Sequence, residues 1–285
     1  MKVTVLGSRG QVGAYLTEYL EKQGHTVSGL DIVNGPDQDL TIIPNQLLEA
    51  AIADSDYVFF LAFDVGGSRY LKKYQHSYQF INNNTRLMAN VFGLLEKYKT
   101  PFVFASSQMS NMSYSPYGVL KNVGEMYTKA LGGLIVKFWN VYGIEHDADK
   151  AHVITDFIRK GMETGVISMM TDGQEQREFL YAEDCCAALT NVMNHHTDFT
   201  SNDNLHITSF EPMRIIDVAE IIMNCFHAAG RTDVTVYIGP DKDTVQQDRK
   251  NQADKYILNW WQPEVGIHDG IARVFKEMYN EQNQV

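Results

Sequence analysis

The sequence predicts an α/β protein, a doubly wound parallel sheet followed by a smaller C-terminal lobe. Three observations predict it. Short β-branched or aromatic runs alternate with stretches of helical spacing, a glycine-rich turn sits directly between the first run and the first helix, and the alternation weakens after Gly143. Strands separated by helices need crossover connections, which place helices on both faces of a parallel sheet.

Lys2–Leu6 is a β-branched run that meets glycine at once; Val12, Leu16, Tyr19 and Leu20 follow at helical spacing, and His25–Asp31 reads as the second strand. Next come a helix around Asn45–Ala53, a strand Tyr57–Ala62, a long helix from about Gln79 to Lys99, a strand Pro101–Ala105, a helix Ser115–Ala130 and a strand Leu134–Phe138. In the long helix Leu87, Val91 and Leu94 mark one stripe and Met88, Phe92 and Leu95 its neighbour, enough to bury against more than one surface. Beyond Gly143 the expected elements are a helix near Val153–Met162, a turn at Asp172–Gly173, helices at Ala182–Met193 and Arg214–Ala228, a strand Val234–Ile238 and a closing helix Ile267–Tyr279.

Composition narrows the function. With 44% hydrophobic and 21% charged residues, the 285-residue chain is too apolar for disorder and long enough for one large domain or two joined ones. The formal charge of −11 opposes general attachment to nucleic acid or to an anionic membrane. The longest apolar runs, such as Tyr57–Phe63, fall far short of the ~20 residues that span a bilayer, and the start runs directly into a strand pattern. Three cysteines, Cys185, Cys186 and Cys225, lack the spacing of a zinc or redox motif, so a reducing cytoplasm is expected. The nine histidines show no ligand spacing, and no metal site is expected. No period of about 20–50 residues recurs.

The turn Gly7-Ser8-Arg9-Gly10-Gln11-Val12-Gly13 joins strand to helix. A helix N-terminus offers unpaired N–H groups and a positive dipole end, and glycines let a pyrophosphate approach the backbone; spacing alone would equally suit a tight turn. The second strand ends at Asp31, where a carboxylate can accept both hydroxyls of an adenosine ribose and repel a 2′-phosphate, favouring NAD over NADP, unless it is a solvated loop acid. Tyr117-Gly118-Val119-Leu120-Lys121 has a spacing expected about once by chance, so its context matters. Its helix starts behind Ser115-Pro116, and residues four apart share a face, so the Lys121 ammonium can favour the Tyr117 phenolate that a general base requires. Ser106 and Ser107 are expected just past the preceding strand, at a carboxyl end, where open α/β sheets bind ligands.

Together with Tyr57–Ala62 and Phe104–Ser107, these residues resemble an extended short-chain dehydrogenase/reductase, and more narrowly the NAD-dependent epimerase/dehydratase family acting on nucleotide sugars. Lys137-Phe138-Trp139-Asn140-Val141-Tyr142-Gly143 is similar to the family's Arg-x-x-Asn-Val-Tyr-Gly, Asp172-Gly173-x-x-x-Arg177-Glu178-Phe179-x-Tyr181-x-x-Asp184 to its Asp-Gly-x-x-x-Arg-Asp-Phe-x-x-x-x-Asp, and Trp261-Gln262-Pro263 to its closing Trp-x-Pro. The resemblance implies a Rossmann-type NAD-binding domain over residues 1–143, completed by about 178–208, with a substrate-binding lobe at 144–177 and 209–285. It implies that Gly7, Gly10, Gln11, Val12 and Gly13 hold the NAD pyrophosphate, Asp31 the adenosine ribose, and Asp39 and Leu40 the adenine side. Leu61, Ala62 and Asn82 would line the nicotinamide half. Ser107, Tyr117 and Lys121 become the catalytic triad, with Lys121 also on the nicotinamide ribose. Gly66, Gly67, Asn140 and Arg177, with Ser107, would hold a nucleotide-diphosphate sugar. Arg177 suits a diphosphate chemically, although an ion pair with Glu175 or Glu178 would also explain it. A homodimer through the helices near 79–99 and 115–130 is implied as well.

Departures from the pattern shape the expected reaction. Only nine residues separate Ser107 from Tyr117, a short rim that would leave the sugar site open. Lys137 replaces the usual arginine. Ser107-Gln108-Met109 stands where dehydratases of the family carry Thr-Asp-Glu, which disfavours water elimination. Asp64-Val65-Gly66-Gly67 resembles the Gly-Gly loop of GDP-mannose 3,5-epimerases and GDP-fucose synthases, yet Met109 occupies the place of their proton-transferring cysteine. The expected activity is therefore epimerisation through transient oxidation at a sugar C4, with a 4-dehydrogenase or a 4-keto-sugar reductase as alternatives using the same residues. A catalytically silent NAD-binding regulator is the remaining alternative.

Overall fold

The computed structural model describes residues 1–244 and 251–283, the side chains of 281–283 excepted. Strand β1 (Lys2–Leu6), helix α1 (Gln11–Lys22) and strand β2 (Thr26–Leu30) form the opening unit. They lead into α2 (Gln46–Ala53), β3 (Tyr57–Phe60), α3 (Ser68–Tyr74), α4 (Tyr78–Tyr98), β4 (Phe102–Ser107), α5 (Pro116–Leu131) and β5 (Leu134–Phe138). With β9 (Leu205–Ile207), the strands make a six-stranded parallel sheet in the order β2-β1-β3-β4-β5-β9. The order reverses between β1 and β3, so the crevice at their carboxyl ends is the switch point where such sheets bind ligands.

Strand periodicity decides which helix each face receives. Tyr57 and Phe59, with Val103 and Ala105, point to α1 and to α7 (Ala182–Asn194), packing on Leu16, Leu20, Cys185 and Leu189. Their alternates Val58, Phe60, Phe102 and Phe104 point to the opposite side, against Leu48, Met88, Val91 and Leu120 of α2, α4 and α5. Both faces are dry, as the continuous apolar strands require.

The rest of the chain builds a second core. After β5 come β6 (Asn140–Tyr142), α6 (Val153–Thr164), β7 (Val166–Ser168) and β8 (Gln176–Tyr181). Beyond α7 and β9 follow β10 (Pro212–Arg214), α8 (Ile215–Ala228), β11 (Thr235–Tyr237) and α9 (Ile267–Asn283). Strands β10, β8 and β6 form one small sheet, β11 and β7 another, and α6, α8 and α9 cluster around Ile158, Ile222, Phe226, Val274 and Phe275.

Several elements differ from expectation. β4 runs two residues further, so Ser106 and Ser107 lie inside the strand rather than past it. α3 is unannounced because Ser68–Tyr74 carries only Leu71 as a buried residue. β8 mixes a polar first half with a buried second half, and β9 is three residues long; neither shows a readable period.

Candidate active site

Backbone proximity dominates the end of the sheet at β1 and β3. Gly7 has a φ of +85°, and a Cβ there would stand 2.8 Å from the Ala62 backbone. A Cβ on Gly13 would fall 2.0 Å from the Gly7 carbonyl oxygen, so α1 can start this close to the turn only with glycine at that position. Gly10 caps α1 without a side-chain hydrogen bond, which leaves the N–H groups of Gln11, Val12 and Gly13 without an intrahelical acceptor. The Gln11 Nε2 is buried with no hydrogen-bond partner. A cradle that any Cβ would fill, backed by unsatisfied donors, fits a pyrophosphate, and therefore the NAD expected there.

Asp31 follows β2 and accepts from the Arg9 N–H at 2.9 Å and the Val33 N–H at 3.1 Å, which fixes its carboxylate at the strand end. Asp39 accepts from Thr41 N, and the buried Leu40 gives its carbonyl to Asn90 at 2.9 Å. Leu61 and Ala62 continue from β3 beside Gly7. On α4 the loop after β3 is reached by Asn84, whose Oδ1 accepts from Asp64 N at 2.7 Å and whose Nδ2 donates to Asp64 O at 3.1 Å, and by Asn83, whose Nδ2 donates to Asp64 Oδ2 at 3.3 Å. Asn82 is half-buried, about 200° from Asn84 around the helix.

The catalytic residues expected from sequence do come together. Ser115 caps α5 through a 3.2 Å bond from Gly118 N, with Pro116 in the first turn. This start sits on the 108–112 segment, where a Cβ on Gly118 would fall 2.2 Å from the Met109 carbonyl oxygen. Tyr117 is buried and hydrogen-bonded to Ser107. Lys121 is 4% exposed; its Nζ donates to Ala105 O at 2.6 Å and lies 3.8 Å from the Phe63 ring centroid.

Their protonation differs from the sequence expectation. Burial pushes the Tyr117 phenol up to about 12, and the Ser107 hydrogen bond pulls it only partway back. Burial also pushes Lys121 down to about 7, against the opposing charge of Glu125. The Lys121 Nζ stands 5.9 Å from the Tyr117 ring centroid, and its own charge is weakened by the same dry pocket. The phenol is thus raised rather than lowered, because desolvation outweighs the Ser107 hydrogen bond.

Asn140 and Arg177 line a cavity of about 360 Å³ between α6, β6 and β8. The Asn140 Nδ2 donates to Glu178 O at 3.3 Å. Arg177 pairs with neither Glu175 nor Glu178 but with Asp243, and both partners line the cavity. Asp156 on the same wall holds two cations, Arg69 at 3.2 Å and Lys160 at 2.8 Å. A Cβ on Gly66 would fall 2.9 Å from the Tyr70 side chain and 3.0 Å from Lys150 Cα, and one on Gly67 2.5 Å from Ala151 O, so both glycines pack closely against the chain's own atoms. Lys137 is committed to Glu125 at 3.3 Å and to Ser110 at 3.1 Å, which removes it from the cations facing this cavity. The short rim after Ser107 is not open. Gln108, Met109 and Ser110 are buried, and Asn251 Nδ2 donates to Gln108 O at 2.7 Å.

Sequence reasoning missed Asn84, Phe63, which packs edge-on against Tyr117 at 5.8 Å, and Gln75, whose Oε1 accepts from the Ser115 hydroxyl at 2.8 Å. Only Asn84 had a usable signal, a polar residue in register with the apolar stripe of Met88, Val91 and Leu95. Among the described residues, no helix is long and apolar enough to cross a membrane, and no group of three or more His, Cys, Asp or Glu could hold a metal.

The chain is 29% identical over 232 residues to an uncharacterized UDP-glucose epimerase, YtcB, of Bacillus subtilis, covering 68% of this chain and 72% of that one. It is 25% identical over 265 residues to a UDP-N-acetyl-alpha-D-glucosaminuronate decarboxylase of Bacillus cytotoxicus, covering 80% and 81%. The fold matches that of an epimerase from Methanothermobacter thermautotrophicus with a TM-score of 0.84 at 19% identity, covering 99% of this chain and 93% of that one. The model of the NAD dependent epimerase/dehydratase family matches residues 3–207, so the chain belongs to that family, an NAD-dependent enzyme of the nucleotide-sugar epimerase/oxidoreductase type.

Proposed function

We propose that the enzyme epimerises a nucleotide-diphosphate sugar through transient oxidation at C4. The observation that carries this reading is the convergence of Ser107, Tyr117 and Lys121 at the carboxyl end of β4, beside the Gly7–Ala62 cradle. In this reading Gly7, Gly10, Gln11, Val12 and Gly13 hold the NAD pyrophosphate and Asp31 its adenosine ribose. When bound, NAD would supply the hydride acceptor and donor and a positive charge. Tyr117 removes the proton of the C4 hydroxyl, Ser107 holds the reacting oxygen and Lys121 favours the phenolate. Asn140 and Arg177 position the diphosphate in the cavity. The lobes divide at 144–177 and 209–285, with the substrate between them.

A UDP-sugar is the first substrate to test, because UDP-sugars recur in the names of the relatives. The buried, apolar Met109 supports neither elimination nor proton transfer at a neighbouring carbon. We further propose a homodimer through α4 and α5, whose outer faces expose Tyr78, Ile81, Val119, Met126 and Tyr127.

The test is incubation of the NAD-loaded enzyme with UDP-, GDP-, ADP- and dTDP-hexoses while NADH absorbance and sugar configuration are followed. Conversion of one 4-epimer to the other without net NADH is the expected result, and Tyr117→Phe should lower it by about 10³-fold while keeping bound NAD. Accumulating NADH would instead identify a 4-dehydrogenase, and an active Tyr117→Phe enzyme would remove the assigned base.

A further inference from the structure

Next to Lys121 lies a cluster of buried polar groups for which the triad has no use. Glu125 sits one helical turn beyond Lys121 on α5 and is 9% exposed. Its Oε1 accepts a 2.5 Å hydrogen bond from the Ser106 hydroxyl on β4 and lies 3.3 Å from the Lys137 ammonium on β5. Ser106, Lys137 and His206 are register partners on β4, β5 and β9, so their side chains leave one face of the sheet together. His206 accepts from Trp139 Nε1 at 3.1 Å and is held down at about 4 by burial and by Lys137, which makes it a neutral neighbour.

A buried carboxylate is expensive, and a single pair with Lys137 would suffice to staple α5 to the sheet. The position of Lys121 argues for more. Among the described residues no carboxylate lies within 4 Å of its Nζ. Its surroundings are the Ala105 carbonyl on β4, the Phe63 and Phe104 rings, and Tyr117 on its own helix. Glu125 is the negative charge that opposes the burial penalty on Lys121. Ser106, which anchors Glu125, immediately precedes Ser107, so one hydrogen bond ties the carboxylate to the strand end that carries the triad serine.

We propose that Glu125 is a positioning residue for the reaction: its carboxylate, one helical turn along α5, favours the charged form of the buried Lys121, and Lys137 and Ser106 set how much of that negative charge Lys121 feels. This rests on the reading of Ser107, Tyr117 and Lys121 as the triad. The arrangement has a directional consequence. Neutralising Glu125 removes the negative charge one helical turn from Lys121, which disfavours its charged form. Neutralising Lys137 leaves the carboxylate to Lys121 alone, which favours it.

The experiment titrates Lys121 directly. Protein labelled with 13C-lysine is followed by NMR, with and without NAD, and the Lys121 Cε signal is identified by its loss in Lys121→Met. Glu125→Gln should move the midpoint down by on the order of one pH unit, and Lys137→Met should move it up. The alkaline limb of kcat/KM should move in the same directions. A mere staple would shift neither midpoint, or both the same way, and either result overturns the proposal. Should Glu125→Gln fail to fold, Lys137→Met decides alone: an unmoved or lowered midpoint sinks it. Tyr117→Phe keeps the two ideas apart. Turnover in that variant would remove the triad reading, whereas a dead variant with unmoved lysine midpoints would remove only the role of Glu125.

Discussion

At the carboxyl ends of β1 and β3 the cradle proposed for NAD is built of backbone, whereas at β6 and β8 the candidate substrate cavity is lined with paired charges. The first region owes its shape to missing atoms: Gly7, Gly13 and Ala62 pack so closely that a side chain on either glycine would close the gap. The second is a set of cations already held by carboxylates, Arg177 by Asp243, Lys242 by Asp172, and Arg69 and Lys160 by Asp156. Steric space is set once the chain folds, while an ion pair can exchange its partner. The difference teaches that the cofactor end is preformed and that the substrate end is held by internal anions in the place proposed for a diphosphate.

The sharpest way to break this contrast is Gly13→Ala. Its methyl would fall 2.0 Å from a backbone oxygen that has nowhere to go, since Gly7 is itself wedged against Ala62. The variant should lose about 3 kcal/mol of stability, and added NAD should no longer raise its melting temperature. A normally stable variant that still binds NAD would show that the cradle can yield, and the cofactor end would not be the rigid partner in the comparison.

Next in size is Asn84. It is fully buried, and its side chain joins Asp64 N, Asp64 O and Phe80 O. Asn84→Ala should cost about 2 kcal/mol in chemical denaturation because Asp64 N is left unpaired. Asn82→Ala should stay within about 0.5 kcal/mol. The reverse order would mean that Asn82, not Asn84, supports the loop after β3.

That pair of asparagines marks how far the sequence could be read. The cofactor half was legible because its signals are local: β1 matches its expected bounds, and the glycine turn falls between β1 and α1. The shared face of Tyr117 and Lys121 was legible because an i, i+4 spacing on a capped helix fixes it. Asn82 was chosen from a run of three asparagines, and only the helix phase separates it from Asn84. The charge state of Tyr117 was misjudged because spacing reports neighbours but not solvent, and the pocket proved dry. The partner of Arg177 lies 66 residues away, beyond β11, and no local pattern could have named Asp243. Gly66 and Gly67, expected at the substrate, are packed against the chain itself, the 150–152 backbone and, at Gly66, the Tyr70 side chain.

The dry pocket gives the third prediction. An unfolded lysine keeps its proton up to its ordinary 10.5, while folded Lys121 releases it near 7, so between these values unfolding takes up a proton and stability rises with pH. From pH 7 to 9 the NAD-free protein should gain about 2 kcal/mol relative to Lys121→Met, read as a widening gap between their denaturation midpoints. A constant gap would mean that Lys121 stays charged when folded, and the two ends of the site would differ less in polarity than their contacts indicate.

The smallest expected effects test the substrate end. If Arg177 holds a diphosphate, Arg177→Ala should raise KM about tenfold with little change in kcat, the signature of lost ground-state binding. Asp243 now occupies that guanidinium, with both side chains mostly buried. Substrate would have to displace the carboxylate, so Asp243→Asn should lower KM by about two- to threefold, because an amide competes less well with phosphate for a guanidinium. Steady-state kinetics on the active UDP-sugar measures both. A higher KM in Asp243→Asn would make the carboxylate a substrate ligand in its own right, and the substrate end would then be as preformed as the cofactor cradle.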